Sequence, residues 1–250
     1  MTIRIAAKNE SPIRIAMWSG PRNLSTAMMR SFSSRSDTFV SDEPFYGAYL
    51  KATRDPQPMI DEIIADMDCD WESVKDIQNG PTPDGSAIWY QKHMPHHMEG
   101  PVSIIDFPNT RHAFLIRDPV RVAASYAEKR SEIRPDHLGV TRQRAYFETE
   151  ANRTGSAPPV IDSHTILLDP QSALRELCAA LEIAWEPAML SWAQGPHSED
   201  GIWGSHWYDK VNRSTGFGPA PGALPELDDE YQKTADACRE DYEFMLKYAI

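Results

Sequence analysis

The chain has 250 residues, 41% of them hydrophobic and 25% charged, with a formal net charge of −12. That is enough apolar chain for one large core. The acidic balance excludes a nucleic-acid backbone as the general partner, so any anionic ligand has to meet a local basic pocket. Cys69, Cys178 and Cys238 are too few and too far apart for a disulfide framework or a Cys-x-x-Cys metal site, which suits a reducing compartment. Met1–Glu10 carries Arg4, Lys8 and Glu10 and lacks the apolar run of a secretory signal. No stretch approaches the roughly 20 apolar residues that span a bilayer. The expectation is a soluble cytoplasmic protein forming one domain over residues 1–250, without nucleic acid or membrane as partner.

Ile13–Trp18 reads as a short buried strand running into the turn Ser19-Gly20-Pro21-Arg22-Asn23-Leu24-Ser25-Thr26, and Ala27–Phe32 continues as an amphipathic helix. Strand, tight turn and helix N-terminus together predict an anion site, because the first helical N–H groups lack partners and the helix dipole favours negative charge there. Arg22 adds a forked cation suited to phosphate or sulfate, and Ser25 and Thr26 add hydroxyl donors. The loop lacks the lysine of a Walker sequence. Thr38–Val40 reads as a second strand ending at Asp42-Glu43-Pro44-Phe45-Tyr46, and polar helical stretches follow near Met59–Met67 and Trp71–Ile77. Turn residues at 79–85 then lead into a third strand, Ala87–Gln91.

Ala113–Ile116 is the clearest strand, stopped at Arg117-Asp118-Pro119. Asp118 suits the N-cap and Pro119 the first turn of a helix running from Val120 to Lys129. A polar helix near Thr141–Asn152, a short strand at Val160–Asp162 and a periodic helix opened by Asp169-Pro170 complete the pattern. Strands alternating with helices predict an α/β fold, a three-layer, doubly wound and mainly parallel sheet. Residues 195–225, rich in Gly, Pro, Trp and Ser, read as a long ordered loop or lid. In such a sheet ligands collect at the carboxyl ends of strands, so Arg22 and Arg117 are placed to face one anion together, with Ser125 about two helical turns beyond Arg117.

On these residues the chain resembles the sulfotransferases that use 3′-phosphoadenosine 5′-phosphosulfate (PAPS). Ile13–Phe32, with Pro21-Arg22-Asn23-Leu24-Ser25 at its centre, resembles the family's 5′-phosphosulfate loop. Phe114–Pro119 with Ser125 is similar to its 3′-phosphate motif. Tyr90-Gln91-Lys92-His93-Met94-Pro95 resembles the strand end that carries the base in many members, and Asp42–Tyr46 the acceptor-side Glu-Pro segment. Leu167–Cys178 resembles a late structural helix, and Ser214–Phe217 a late loop near the nucleotide. The resemblance implies a P-loop-like fold and transfer of a sulfuryl group from PAPS to a hydroxyl or amine, with no metal.

The resemblance also implies roles. Gly20, Pro21, Arg22, Asn23, Leu24, Ser25 and Thr26 hold the 5′-phosphosulfate, with Arg22 stabilising the departing phosphate. Arg117 and Ser125 clasp the 3′-phosphate, aided by Arg213. His93 or Glu43 is the general base, with His93 ahead on intrinsic pKa and strand position. Glu43, Phe45 and Tyr46 face the acceptor. Leu24 replaces the usual glycine, so the loop turns differently, with Gly20 as the candidate pivot. Lys92 sits one residue nearer the histidine than the family's lysine, a step that turns it to the other face of the strand and argues against a catalytic role. His93, His96 and His97 have a spacing that converges on a helix, but Pro95 breaks the run and no further ligand completes a metal site.

Two other classes keep the same anion loop: a P-loop-type kinase or nucleotide hydrolase, and a non-catalytic binder of adenosine 3′,5′-bisphosphate. The acceptor is expected to be a small soluble molecule, and a homodimer is the commonest assembly for such a chain.

Overall fold

The computed structural model describes residues 11–128 and 133–250. The opening segment Met1–Glu10, and the last residue of the helix expected to end at Lys129, lie outside those described.

Five strands form one parallel sheet: β1 (Ile13–Ser19), β2 (Thr38–Asp42), β3 (Ile88–His93), β4 (Thr110–Ile116) and β5 (Val160–Asp162), in the order β2-β3-β1-β4-β5. Every strand expected from an apolar run is present. The three central ones are buried along nearly their whole length, as parallel strands covered on both faces must be.

Alternation along β1 divides the core in two. Ile15 and Met17 join Tyr90 and Leu115 in packing against Met28 and Phe32 of the helix Ser25–Ser33 and Leu174 and Leu177 of the helix Pro170–Ala180. Ala16 and Trp18 face the other way, with Phe114 and Ile116, toward Val122 of the helix Pro119–Ala127 and Phe147 of the helix Val140–Thr154. Two helical layers therefore sandwich the sheet, the three-layer α/β arrangement the sequence predicts. Each buried Leu, Ile or Phe in these layers contributes about 1.5–3 kcal/mol.

Local signals set the helix starts. The Asp118 carboxylate accepts from the Val120 N–H at 2.8 Å and Pro119 occupies the first turn. Asp169 does the same for the Ser172 N–H at 3.1 Å. Helices also arise where the residues show no clear period, among them Tyr46–Thr53 after β2, Ser163–Leu168 after β5, and the closing pair Asp229–Ala237 and Arg239–Leu246. The stretch read as a loop contains two single helical turns, Gly204–Trp207 and Asp209–Asn212, and is otherwise irregular. A buried ion pair pins it, Arg30 to Asp200 at 2.6 Å, with Arg30 wholly out of solvent.

The strand order places β1 between β3 and β4, so the chain leaves the sheet in opposite directions at neighbouring strand ends, where a crevice opens. Gln143 bridges the parting strands, its Nε2 donating to the Trp18 and Leu115 carbonyls at 2.9 Å each.

Candidate active site

A cleft of about 650 Å³ opens at the carboxyl ends of the strands. Its floor is the turn after β1. Arg22 and Leu24 both adopt left-handed backbone conformations, with φ of 59° and 56°. Non-glycine residues enter that region only where surrounding structure compensates the cost. The compensation is visible at Asn23, whose Nδ2 donates to the Leu115 carbonyl at 2.6 Å and ties the turn to β4. Leu24 is the N-cap of the helix Ser25–Ser33 and contributes no side-chain cap. The N–H groups of the first turn are left to the cleft, as an anion site requires.

Gly20 is not the pivot of the turn. Its φ is not positive, and a Cβ there would stand 2.2 Å from the Leu138 carbonyl oxygen, so its missing side chain serves a close approach of two backbones. Leu24, at the position where the resemblance expects glycine, takes the left-handed conformation that glycine would.

Arg22 Nε donates to Ser125 Oγ at 3.0 Å, and Arg117 Nη1 donates to the Arg22 carbonyl. The turn after β1, the end of β4 and the following helix thus meet at one point. Burial, then the neighbouring charges of Arg121 and Arg22, lowers the pKa of Arg117 from the ordinary arginine value. Among the described residues neither Arg22 nor Arg117 forms an ion pair with a carboxylate.

The opposite wall is built from the ends of β2 and β3. Lys92 is 1% exposed and donates to Asp42 Oδ1 at 2.8 Å, to Tyr208 OH at 2.7 Å and to Thr26 Oγ1 at 3.3 Å. It also pairs with Glu43 Oε1 at 2.8 Å. Tyr208 OH in turn donates to Asp42 Oδ2 at 2.7 Å and accepts from Trp203 Nε1 at 3.1 Å. Burial works to lower the Lys92 pKa, but Asp42 and Glu43 reverse it and hold the ammonium well above the usual lysine range. Burial pushes the Asp42 carboxyl up, opposed by Lys92. Glu43 has a φ of 46° and is fixed by its N–H to the Lys92 carbonyl at 3.0 Å and by its own carbonyl, which accepts from the Tyr46 N–H at 2.9 Å. A left-handed glutamate at a cleft wall is the kind of strain that functional sites retain.

Residues 13–244 match the sulfotransferase domain family. The chain belongs to that family. The sulfotransferase domain from the curacin biosynthetic pathway superposes with a TM-score of 0.54 at 17% identity, covering 91% of this chain and 98% of that one. The sulfotransferase from Alicyclobacillus acidocaldarius gives 0.56 at 11% identity, with 96% and 98% covered. These likenesses place the fold among the sulfotransferases, consistent with the P-loop-like sheet. In sequence, branched-chain-amino-acid aminotransferase-like proteins 2 and 1 of Arabidopsis thaliana are 36% identical over 218 residues and 37% identical over 211. Those stretches are 85% and 82% of this chain but only 37% of each relative's length.

Within this sulfotransferase fold the cleft gathers Pro21, Arg22, Asn23, Leu24, Ser25, Thr26, Glu43, Tyr46, Arg117 and Ser125. Four residues expected at the site fall elsewhere. His93 is 1% exposed and stacks on Trp18 at 4.6 Å, on the face of the sheet opposite Lys92. Burial, then His112, drives its pKa down to about 3, so it is a neutral core side chain. Phe45 is 1% exposed and packs on Trp71 and Phe107. Arg213 is exposed and its Nε donates to the Asp209 carbonyl at 3.0 Å. Gly20 supports the turn from behind. The one-residue offset of Lys92 carries the opposite lesson from the one expected: Lys92 shares a face with Thr26 and reaches the cleft, and the histidine does not. His97, Trp203 and Tyr208 also line the cleft, and sequence spacing alone did not single them out for it.

Proposed function

We propose that this sulfotransferase-family chain takes its sulfuryl group from PAPS and delivers it to a small acceptor entering beside Glu43. The observation that carries the reading is the convergence of Arg22, Arg117 and Ser125 on one strand-end crevice without a carboxylate partner for either arginine. Two half-buried cations side by side repel each other, and the charge of Arg22 is one of the causes that lower the Arg117 pKa; a dianionic ligand is what relieves that cost. The uncapped first turn of the helix Ser25–Ser33 adds backbone donors at the same place.

In this reading Arg22, Ser25, Thr26 and the loop N–H groups hold the 5′-phosphosulfate, and Arg117 with Ser125 holds the 3′-phosphate. PAPS supplies a sulfuryl group on a good leaving group. The protein's part is chiefly to position and to neutralise charge, as in phosphoryl transfer. Glu43 is the base, because it is the expected proton acceptor that lines the cleft; His93 is buried on the other face.

Calorimetric titration with adenosine 3′,5′-bisphosphate, ATP and AMP tests the reading. The bisphosphate is expected to bind at micromolar concentration. Arg117→Ala is expected to weaken it on the order of 100-fold, the loss of a charge-assisted pair worth about 2–3 kcal/mol. A preference for ATP, or bisphosphate binding indifferent to Arg117, overturns it.

A further inference from the structure

On the cleft wall formed with the ends of β2 and β3, two polar atoms stand close without a direct hydrogen bond. His97 is 4% exposed, lines the cleft, and its Nδ1 has no hydrogen-bond partner. The ring cannot swing to find one. It stacks on Tyr46 at 4.4 Å with 4° between planes and on Tyr49 at 4.9 Å. Nδ1 stands 3.8 Å from Glu43 Oε2, too far for a direct hydrogen bond. The other Glu43 oxygen is already held by Lys92 at 2.8 Å. Burial, then the charge of Lys92, keeps the His97 pKa well below the usual histidine value, so the ring is neutral and carries one donor and one acceptor.

Since the two atoms are 3.8 Å apart, an oxygen at the usual contact of about 2.8 Å from both would meet them at about 85°. A hydroxyl satisfies both at once: its O–H donates to Glu43 Oε2 and its lone pair accepts from His97 Nδ1–H. A carboxylate has no proton to give and meets the Glu43 charge. An ammonium has no lone pair to receive a proton. The charges at this end, Lys92 against Asp42 and Glu43, leave an excess of one negative, which disfavours an anionic body. The surrounding wall is aromatic or apolar: Tyr46, Met94, Trp203 and Trp207.

We infer that His97 and Glu43 form a two-point subsite for the attacking hydroxyl of an alcohol that carries no anionic group and has an aromatic or apolar body. The inference rests on the PAPS reading of the arginine end. As the acceptor oxygen bonds to sulfur, the bond from sulfur to the 5′-phosphate oxygen breaks, its electron pair leaves with adenosine 3′,5′-bisphosphate, and the hydroxyl proton passes to Glu43 Oε2. His97 holds the oxygen and exchanges no proton.

The test measures transfer from sulfur-labelled PAPS to benzyl alcohol, to 4-(hydroxymethyl)benzoate and to 4-(aminomethyl)benzyl alcohol, in the unmutated protein and in His97→Phe and His97→Asn. Phenylalanine keeps the stacked ring and removes the nitrogen; asparagine restores a donor near the Nδ1 position. Benzyl alcohol and its aminomethyl derivative are both expected to be better acceptors than the benzoate. His97→Phe should lower kcat/KM for benzyl alcohol by about 10- to 100-fold, mainly through KM, the loss of one hydrogen bond in a buried site. His97→Asn should recover most of that loss, and bisphosphate binding by calorimetry should be unchanged in both. Unaltered kcat/KM in His97→Phe, better turnover of the benzoate, or no product from any alcohol while the bisphosphate still binds overturns the inference. Failure of the unmutated protein to bind the bisphosphate brings down the donor reading, and this one with it. Should His97→Phe not fold, the ranking of the three acceptors by the unmutated protein decides.

Discussion

The two ends of the cleft lie on adjacent strand ends of one sheet and treat buried charge in opposite ways. At the ends of β1 and β4, the half-buried Arg22 and Arg117 meet a hydroxyl and a carbonyl, and among the described residues neither forms an ion pair with a carboxylate. At the ends of β2 and β3, Lys92 is saturated by Asp42, Glu43, Tyr208 and Thr26, all from within the chain. Charge withdrawn from water is costly unless paired, so the half-buried arginine end has room for an anion, while the buried Lys92 end is complete already. One end is built to receive charge from outside. The other fixes Glu43 at a chosen point and leaves one of its oxygens to work.

The comparison breaks first at Glu43. If this end exists to aim a base, Glu43→Gln should lower the transfer rate by about 10²–10⁴-fold while bisphosphate affinity stays the same. Equal rates in the two proteins would reduce Glu43 to a partner of Lys92. The next largest effect is on stability. Lys92→Met leaves Asp42 and Glu43 together without a cation, at a cost of about 3–5 kcal/mol. Thermal melts should fall by about 10 °C at this chain length. Adding Asp42→Asn should recover part of the loss. An Arg22→Met melt with no comparable drop would confirm that only the acceptor end is charge-balanced. The Lys92 contribution is fully present below the ordinary lysine pKa of about 10.5 and is lost only as pH rises through its raised folded value.

Much of this was legible in the sequence, and the rest was not for identifiable reasons. The strands announce themselves because a parallel strand buried on both faces needs an unbroken apolar run, as in Ala113–Ile116. The anion loop is legible because its chemistry is local: a strand, a turn bearing Arg22, and a helix start. Which of Lys92 and His93 faces the cleft is not local. It depends on the register Met17↔Lys92 and Trp18↔His93, and a single residue reverses it. Tyr208 and Trp203 reach the site across more than a hundred residues from β3, in a stretch whose composition signals only a loop. The closing helices bury few side chains, chiefly Thr234, Ala235, Tyr242 and Met245, too sparse a stripe to show a period.

A third effect separates a core histidine from a catalytic one. His93 titrates at about 3 in the folded protein against about 6.5 when unfolded, and His112 at about 4. Below pH 6.5 the unfolded chain takes up protons that the folded one refuses, so stability falls as pH falls through that window, by on the order of 4–5 kcal/mol for His93 alone. His93→Gln should flatten the decline in melts between pH 6.5 and 4. Transfer at neutral pH should stay within about threefold, a margin far smaller than general-base loss. A folded His93→Gln protein without activity would return the base to His93.

The smallest effect concerns Tyr208, which joins the irregular 195–217 stretch to the charge cluster. Its hydroxyl accepts from Lys92 and Trp203 and donates to Asp42, so Tyr208→Phe removes one group from three hydrogen bonds while keeping the ring. Lys92 retains both carboxylates, so the loss should be about 1–3 kcal/mol, the cost of stranding a buried donor and an acceptor rather than a charge. That is about half the effect expected for Lys92→Met. Transfer should fall modestly and bisphosphate binding should not change, because Arg22 and Arg117 lie at the other end. Loss of bisphosphate affinity in Tyr208→Phe would mean that the two ends are coupled through the Tyr208 segment, and the division between a charge-receiving and a charge-balanced end would fail.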